Sequence, residues 1–253
     1  MNLQNMLMTH LYFGDPSPEF SFTLAETLAE NGADVLEIGI PYTDPVCDGE
    51  IFQRSCARAL CSVTSPYDVL EGVGKLSKTL KVPIYLTSYY GPIFKIGVLK
   101  FVKMAKEAGI VGLIVPDLLL EEQSELSAAC KLYGLSLVQF ATVYSTKERL
   151  KKIISASNDF IYCTALPGVT GDKIQKDKLL RSLKLLKSLT KKKIYVGFGI
   201  GSQKDTKEII DMGADGVIVG SAIARIYESH INNPTSTLQK VGAFVKSLKG
   251  VTI

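Results

Sequence analysis

A chain of 253 residues with 46% apolar and 21% charged side chains holds enough apolar matter for a large core, which excludes a disordered tail or linker. Its formal charge of +4 is small for that length and no segment concentrates it, which argues against a nucleic-acid surface. Five cysteines, an odd number without paired metal spacing, argue against a disulfide framework and a zinc site and point to a reducing, cytoplasmic setting.

The opening MNLQNMLMTHLYFGDP shows no charged leader before a long apolar core, and no later window approaches the ~20 apolar residues of a membrane span. Residues 8–13 read as a strand. Residues 19–31 read as a helix, with Leu24, Ala25, Leu28 and Ala29 on one face. Next comes the phrase ENGADVLEIG (30–39), a helix end, a Gly and an apolar run. It recurs as EAGIVGLIVP (107–116), KLYGLSLVQF (131–140) and DMGADGVIVG (211–220). In each, the Gly stands where a helix end needs a left-handed residue, and the following run is too apolar for a half-exposed strand. With the remaining runs the predicted strands are 8–13, 34–40, 82–88, 111–116, 135–142, 159–164, 193–198 and 216–220. The Lys-rich stretch 173–193 reads as an amphipathic helix with a solvated face and a stripe of Leu179, Leu180, Leu183, Leu185 and Leu186. Strict alternation of strand and helix means parallel strands with right-handed crossovers. Eight units in one chain predict an α/β fold, a (β/α)8 TIM barrel forming one domain over residues 1–253, with function in the loops after the strands.

Those loops carry the candidate chemistry. Glu37 lies inside the second strand, where both faces should be dry and burial favours the protonated form, as a general acid or base near neutral pH requires. The alternative is a buried ion pair with a Lys or Arg of a neighbouring strand, but no strand offers an obvious interior cation. The loop 41–49 adds Asp44, a turn-capping position before Pro45, and Asp48 before Gly49, which is the better placed to swing over the barrel mouth. The segment 165–172 reads either as a lid or as a plain surface loop. Phe198 and Gly199 after the seventh strand, and Gly220 and Ser221 opening a helix after the eighth, offer bare N–H groups and a helix dipole to a phosphate where barrels most often bind one. His10 and His230 are too few and too scattered for a zinc site or a histidine triad.

The stretch LEIGIPYTDPVCDGE (36–50), followed in order by VPD (115–117), GVTG (168–171), GFGI (197–200) and GSAI (220–223), closely resembles the α subunit of tryptophan synthase, with FGDP (13–16) ahead of it. The resemblance implies retro-aldol cleavage of indole-3-glycerol phosphate to indole and glyceraldehyde 3-phosphate. It gives Glu37 the acid/base role and Asp48 the indole N–H, and it puts Tyr162 and Tyr89 in contact with substrate. Thr170 would bond Asp48 when a lid closes, and Gly171, Phe198, Gly199, Gly220 and Ser221 would cradle the phosphate. It further implies no cofactor in this chain and an α2β2 complex with a PLP-dependent β subunit, docked through the loops around Val46 and Asp117. The chain departs from the family pattern at Gly91, where Asn is usual, at Ala165-Leu166, where Ser-Arg is usual, and at Glu50 and Leu119, where Pro is usual. These departures open a second expectation, a non-catalytic chain that mainly activates the β subunit. A third is another phosphate-binding barrel such as a sugar-phosphate isomerase, which would leave the pairing of Glu37 with Asp48 without a purpose.

Overall fold

The computed structural model describes residues 5–63, 65–164, 176–197, 199–231 and 233–252. In chain order the elements are β1 (Met6–Tyr12), α1 (Pro18–Glu30), β2 (Val35–Gly39), α2 (Glu50–Leu60), α3 (Pro66–Thr79), β3 (Ile84–Thr87), α4 (Tyr90–Ile96), α5 (Val98–Glu107), β4 (Gly112–Ile114), α6 (Ser124–Tyr133), β5 (Ser136–Leu137) and β6 (Gln139–Thr142). They continue as α7 (Lys147–Ala156), β7 (Ile161–Thr164), α8 (Lys176–Leu189), β8 (Ile194–Gly197), α9 (Gln203–Asp211), β9 (Gly216–Val219), α10 (Ser221–Glu228) and α11 (Pro234–Lys249).

All the strand pairs are parallel, in the order β5-β4-β3-β2-β1-β9-β8-β7-β6. The two ends of this sheet, β5 and β6, are halves of the single run predicted at 135–142, so the sheet closes on itself through Val138 and the eight-stranded barrel stands. The run is interrupted where a long-range amide pair forms. The buried side chain of Gln139 exchanges amide hydrogen bonds of 3.1 Å with Gln123 at the start of α6, and it also donates to the Leu137 carbonyl at 3.2 Å. The first half pairs with β4 and the second with β7.

Helix ends fall where the glycines require. Gly32, Gly109, Gly134 and Gly213 all have positive φ, between 65° and 110°. α1 buries Leu24, Ala25 and Leu28, and α8 buries Leu179, Leu183 and Leu186; Leu180 and Leu185 are half-buried, so the α8 stripe is narrower than the leucine pattern suggests.

The core has two layers. The larger lies between barrel and helices, and the smaller fills the barrel with Met8, Val35, Tyr85, Ile114, Val138, Phe160, Tyr162, Tyr195 and Ile218. Every strand therefore has apolar side chains on both faces, which is why no strand shows the alternation of a half-wet sheet. The interior is fitted by a repeated device in which a tyrosine on one strand faces a glycine at the paired position of the next. Tyr12 faces Gly39, Tyr85 faces Gly112 and Tyr195 faces Gly216. A Cβ at those glycines would stand 2.5, 2.6 and 2.9 Å from the ring, well inside contact distance.

At the functional end, the buried Asp15 after β1 accepts from Arg58 Nε at 2.7 Å, Arg58 Nη2 at 2.9 Å and Tyr227 Oη at 2.8 Å, and also from Ser55. Arg58 reaches on to Glu228 at 2.6 Å, where Arg54 also binds. The network clamps α2 to α10, so the two helices that begin at the barrel mouth move as one.

The clamp and the tyrosine–glycine pairs each set expected stability effects, checked by urea denaturation. Arg58→Met strands the Asp15 carboxylate, which is 0% exposed, and should cost about 3–5 kcal/mol by urea denaturation. Arg54→Met, whose side chain is 49% exposed, should cost ~1 kcal/mol or less. Gly112→Ala should cost about 1–3 kcal/mol and become nearly neutral in a Tyr85→Leu background, because its main obstacle is that ring. Gly216→Ala should not be rescued by Tyr195→Leu, because its Cβ also meets the Met6 carbonyl oxygen at 2.6 Å.

Candidate active site

A cavity at the strand C-terminal ends encloses about 610 Å³ of empty space, open solvent at its mouth included. Glu37 comes into it from the middle of β2, where its Cα pairs with His10 of β1 and Tyr85 of β3. The residue is 4% exposed. The group beside it is a histidine of the neighbouring strand. His10 Nδ1 lies 3.0 Å from Glu37 Oε1, and the Thr87 hydroxyl donates to the same oxygen at 2.5 Å. One strand thus places His10 directly opposite the acid/base candidate, a pairing that the histidine count alone does not suggest.

Asp48 enters from the loop ahead of α2, shaped by Asp48 N donating to the Pro45 carbonyl at 3.0 Å and Gln53 donating to the Asp48 carbonyl at 2.8 Å. Its Oδ2 accepts from Tyr12 Oη at 2.5 Å and from Tyr89 Oη at 3.0 Å. Burial pushes the Asp48 carboxyl above the ordinary range. The Tyr12 bond, His10 and the Tyr89 bond pull it back down, and Glu37 adds a further upward push. The tyrosines in turn are held neutral: burial first, then the Asp48 charge, raises both Tyr12 and Tyr89. Asp44 stays outside, exposed and bonded to the neighbouring Thr43 hydroxyl.

The walls are apolar and aromatic. Tyr162, raised by burial and then by Glu37 and Asp48, packs on Phe140 at 4.9 Å, with Ile114 and Ile218 nearby. His10 lies tilted on Phe52 at 4.7 Å and edge-on to Tyr12 at 4.9 Å. Cys47 also lines the cavity, but burial pushes its thiol up to about 11, so it is no nucleophile at neutral pH.

The lining also includes Gly199, Ile200, Gly220 and Ser221. Gly220 is the N-cap of α10 and makes no side-chain cap bond, whereas the neighbouring α9 is closed by its own Ser202 side chain. A side chain at 220 would run into Phe52 at 2.4 Å, so only glycine leaves the α10 N-terminus bare toward the cavity. Among the described residues, no group of three or more His, Cys, Asp or Glu is placed to hold a metal ion. Thr170, Gly171 and Phe198 lie outside the described residues, as do Ala165 and Leu166.

The departure at Gly91 has a steric cause. A Cβ there would meet Tyr42 Oη at 2.6 Å, and the Tyr42 ring stacks on Tyr89 at 5.5 Å. Space that a side chain at 91 would need is thus filled by a ring that supports the Asp48 partner. Asp117 accepts from Tyr90 N at 2.9 and 3.1 Å and so caps α4 from the adjacent loop.

Sequence reasoning missed His10, Tyr12, Phe52 and Thr87. The signal that could have found two of them is parity, since residues 8, 10 and 12 share one strand face and Met8 is buried inside the barrel.

The family model described as "Tryptophan synthase alpha chain" matches residues 2–252. The tryptophan synthase alpha chain of Carboxydothermus hydrogenoformans is 37% identical over 254 residues, covering 98% of this chain and 94% of that one. That of Prochlorococcus marinus is 39% identical, covering 97% and 92%. Among solved structures, the tryptophan synthase α subunit of Legionella pneumophila superposes with a TM-score of 0.89 at 32% identity, covering 98% and 92%. Mycobacterium tuberculosis tryptophan synthase does so with a TM-score of 0.90 at 29% identity, covering 99% and 93%. With its parallel barrel, its two inward carboxylates and a family match over nearly its whole length, this chain belongs to the tryptophan synthase alpha chain family.

Proposed function

We propose that this chain, acting as one barrel domain in the cytoplasm, cleaves indole-3-glycerol phosphate into indole and glyceraldehyde 3-phosphate. It does so docked on a PLP-dependent β subunit in an α2β2 complex. The observation that carries the reading is the lining of one cavity: two carboxylates, apolar and aromatic walls, and the bare N-terminus of α10. A phosphate sits at the α10 N-terminus with Gly199, Gly220 and Ser221, and the indole ring lies between those walls beside Tyr162.

Cleavage requires two proton transfers. Protonation of indole C3 by Glu37 leaves positive charge on the ring nitrogen, which the Asp48 carboxylate stabilises through the N–H. Ionised Glu37 then takes the proton of the side-chain hydroxyl. The O–H electrons form the aldehyde C=O, the C–C bond breaks and its electrons return to the ring, restoring neutral indole. No Schiff base and no cofactor are needed in this chain. A chain that only activated its partner would have no use for two carboxylates in a dry cavity, so the lyase reading is preferred over the activator. Exposed Val46 and Leu119, beside the Asp117 cap, offer the β subunit apolar contact.

Glu37→Gln, assayed with the β subunit, should lower aldehyde release by about 10²- to 10⁴-fold while tryptophan formation from indole and serine persists. Aldehyde release at the wild-type rate would sink the assignment. Asp48 must be ionised, so activity falls as pH drops through its raised pKa. Removing the Tyr12 donor destabilises the ionised form and raises that pKa further. Tyr12→Phe should therefore move the acid limb of kcat/KM to higher pH; an unmoved limb would assign it to another group.

A further inference from the structure

The two oxygens of Glu37 have different surroundings. Oε1 meets His10 Nδ1 at 3.0 Å and the Thr87 hydroxyl at 2.5 Å, while Oε2 is buried without a hydrogen-bond partner among the described residues. Glutamate χ3 is a broad, two-fold torsion, so nothing in the side chain itself distinguishes the oxygens. Two donors converging on one of them do.

His10 is an uneconomical way to fill this space. It is 5% exposed and packed between Tyr12 and Phe52, a niche that a phenylalanine ring would suit. Its Nε2 has no partner among the described residues. What the imidazole adds is a polar Nδ1, and it stands 3.0 Å from Glu37 Oε1. The main chain fixes the pairing, because His10 and Glu37 are register partners of adjacent strands.

We propose that His10 is the positioning residue for Glu37: with Thr87 it anchors Oε1 and so fixes the carboxyl that trades protons with the substrate. This rests on the lyase reading of Glu37. A proton passes from the Glu37 carboxyl to indole C3, and the carboxylate then collects the hydroxyl proton. Between the transfers the carboxylate is ionised, and His10 and Thr87 stabilise it without giving up their own protons. Hydrogen bonds to a charged group are the strong ones, so losing one here should be felt as a rate.

The test uses the complex with the β subunit. His10→Phe keeps the ring and removes the donor; kcat for aldehyde release should fall about 10- to 100-fold with KM changed by less than about threefold. His10→Asn returns an N–H near the Nδ1 position and should recover to within about fivefold of wild type. Tryptophan formation from indole and serine checks that each variant folds and docks. A His10→Phe enzyme with unchanged kcat, or a His10→Asn enzyme as poor as His10→Phe, overturns the proposal. The sequence holds two histidines, so ¹⁵N-histidine spectra of the chain are simple, with His10→Phe supplying the assignment. His10 should carry its proton on Nδ1, and Glu37→Leu should abolish that preference. A ring protonated at Nε2 alone, or one indifferent to Glu37→Leu, overturns the pairing. If wild type releases no aldehyde, the lyase function fails, and the nitrogen spectrum decides the pairing independently.

Discussion

A carboxylate placed inside a closed parallel barrel has no water to turn to, and the arrangement of this site follows from that constraint. Ionised Glu37 needs donors from neighbouring strands, and the register supplies His10 on one side and Thr87, one pleat above Tyr85, on the other. Asp48 meets the same difficulty from a loop and meets it with phenols. Tyr12 and Tyr89 donate to it while burial keeps both neutral. The two acids are thus anchored by different chemistry, imidazole and hydroxyl for one and paired phenols for the other, as the roles proposed for them require.

Holding those donors in place falls to the frame. The barrel interior is interlocked tyrosine against glycine, and one of these pairs, Tyr12 with Gly39, is also part of the site. The ring that fills the barrel mouth therefore also orients Asp48, so packing and electrostatics cannot be changed separately there. The Asp15 clamp does the corresponding work outside the barrel. It binds α2, which starts just after Asp48, to α10, which starts at Ser221 on the cavity lining, and so ties these two parts of the cavity together.

Much of this is legible in the sequence. Eight apolar runs, each ended by turn residues, give the barrel, and the positive φ at Gly32, Gly109, Gly134 and Gly213 matches the helix ends read from the repeated phrase. Glu37 stands out because an acid in an otherwise apolar run is conspicuous, and Gly220-Ser221 because a helix follows at once. His10, Tyr12 and Thr87 do not stand out. In strands buried on both faces, polarity does not mark which residues point inward, and a cross-strand partner depends on a register that no local pattern encodes. The interruption at Val138 is hidden for the same reason, since it turns on a long-range amide pair between Gln123 and Gln139. Gly91 reads as a loss when taken alone, because its meaning lies in Tyr42, a residue from another loop.

That last contact bears on the history open to the chain. Tyr42 and Gly91 occupy one volume between them, so they form a single heritable unit spread over two codons. A side chain can return at 91 only if the Tyr42 hydroxyl gives way, and because the Tyr42 ring stacks on Tyr89, which donates to Asp48, that adjustment reaches the site.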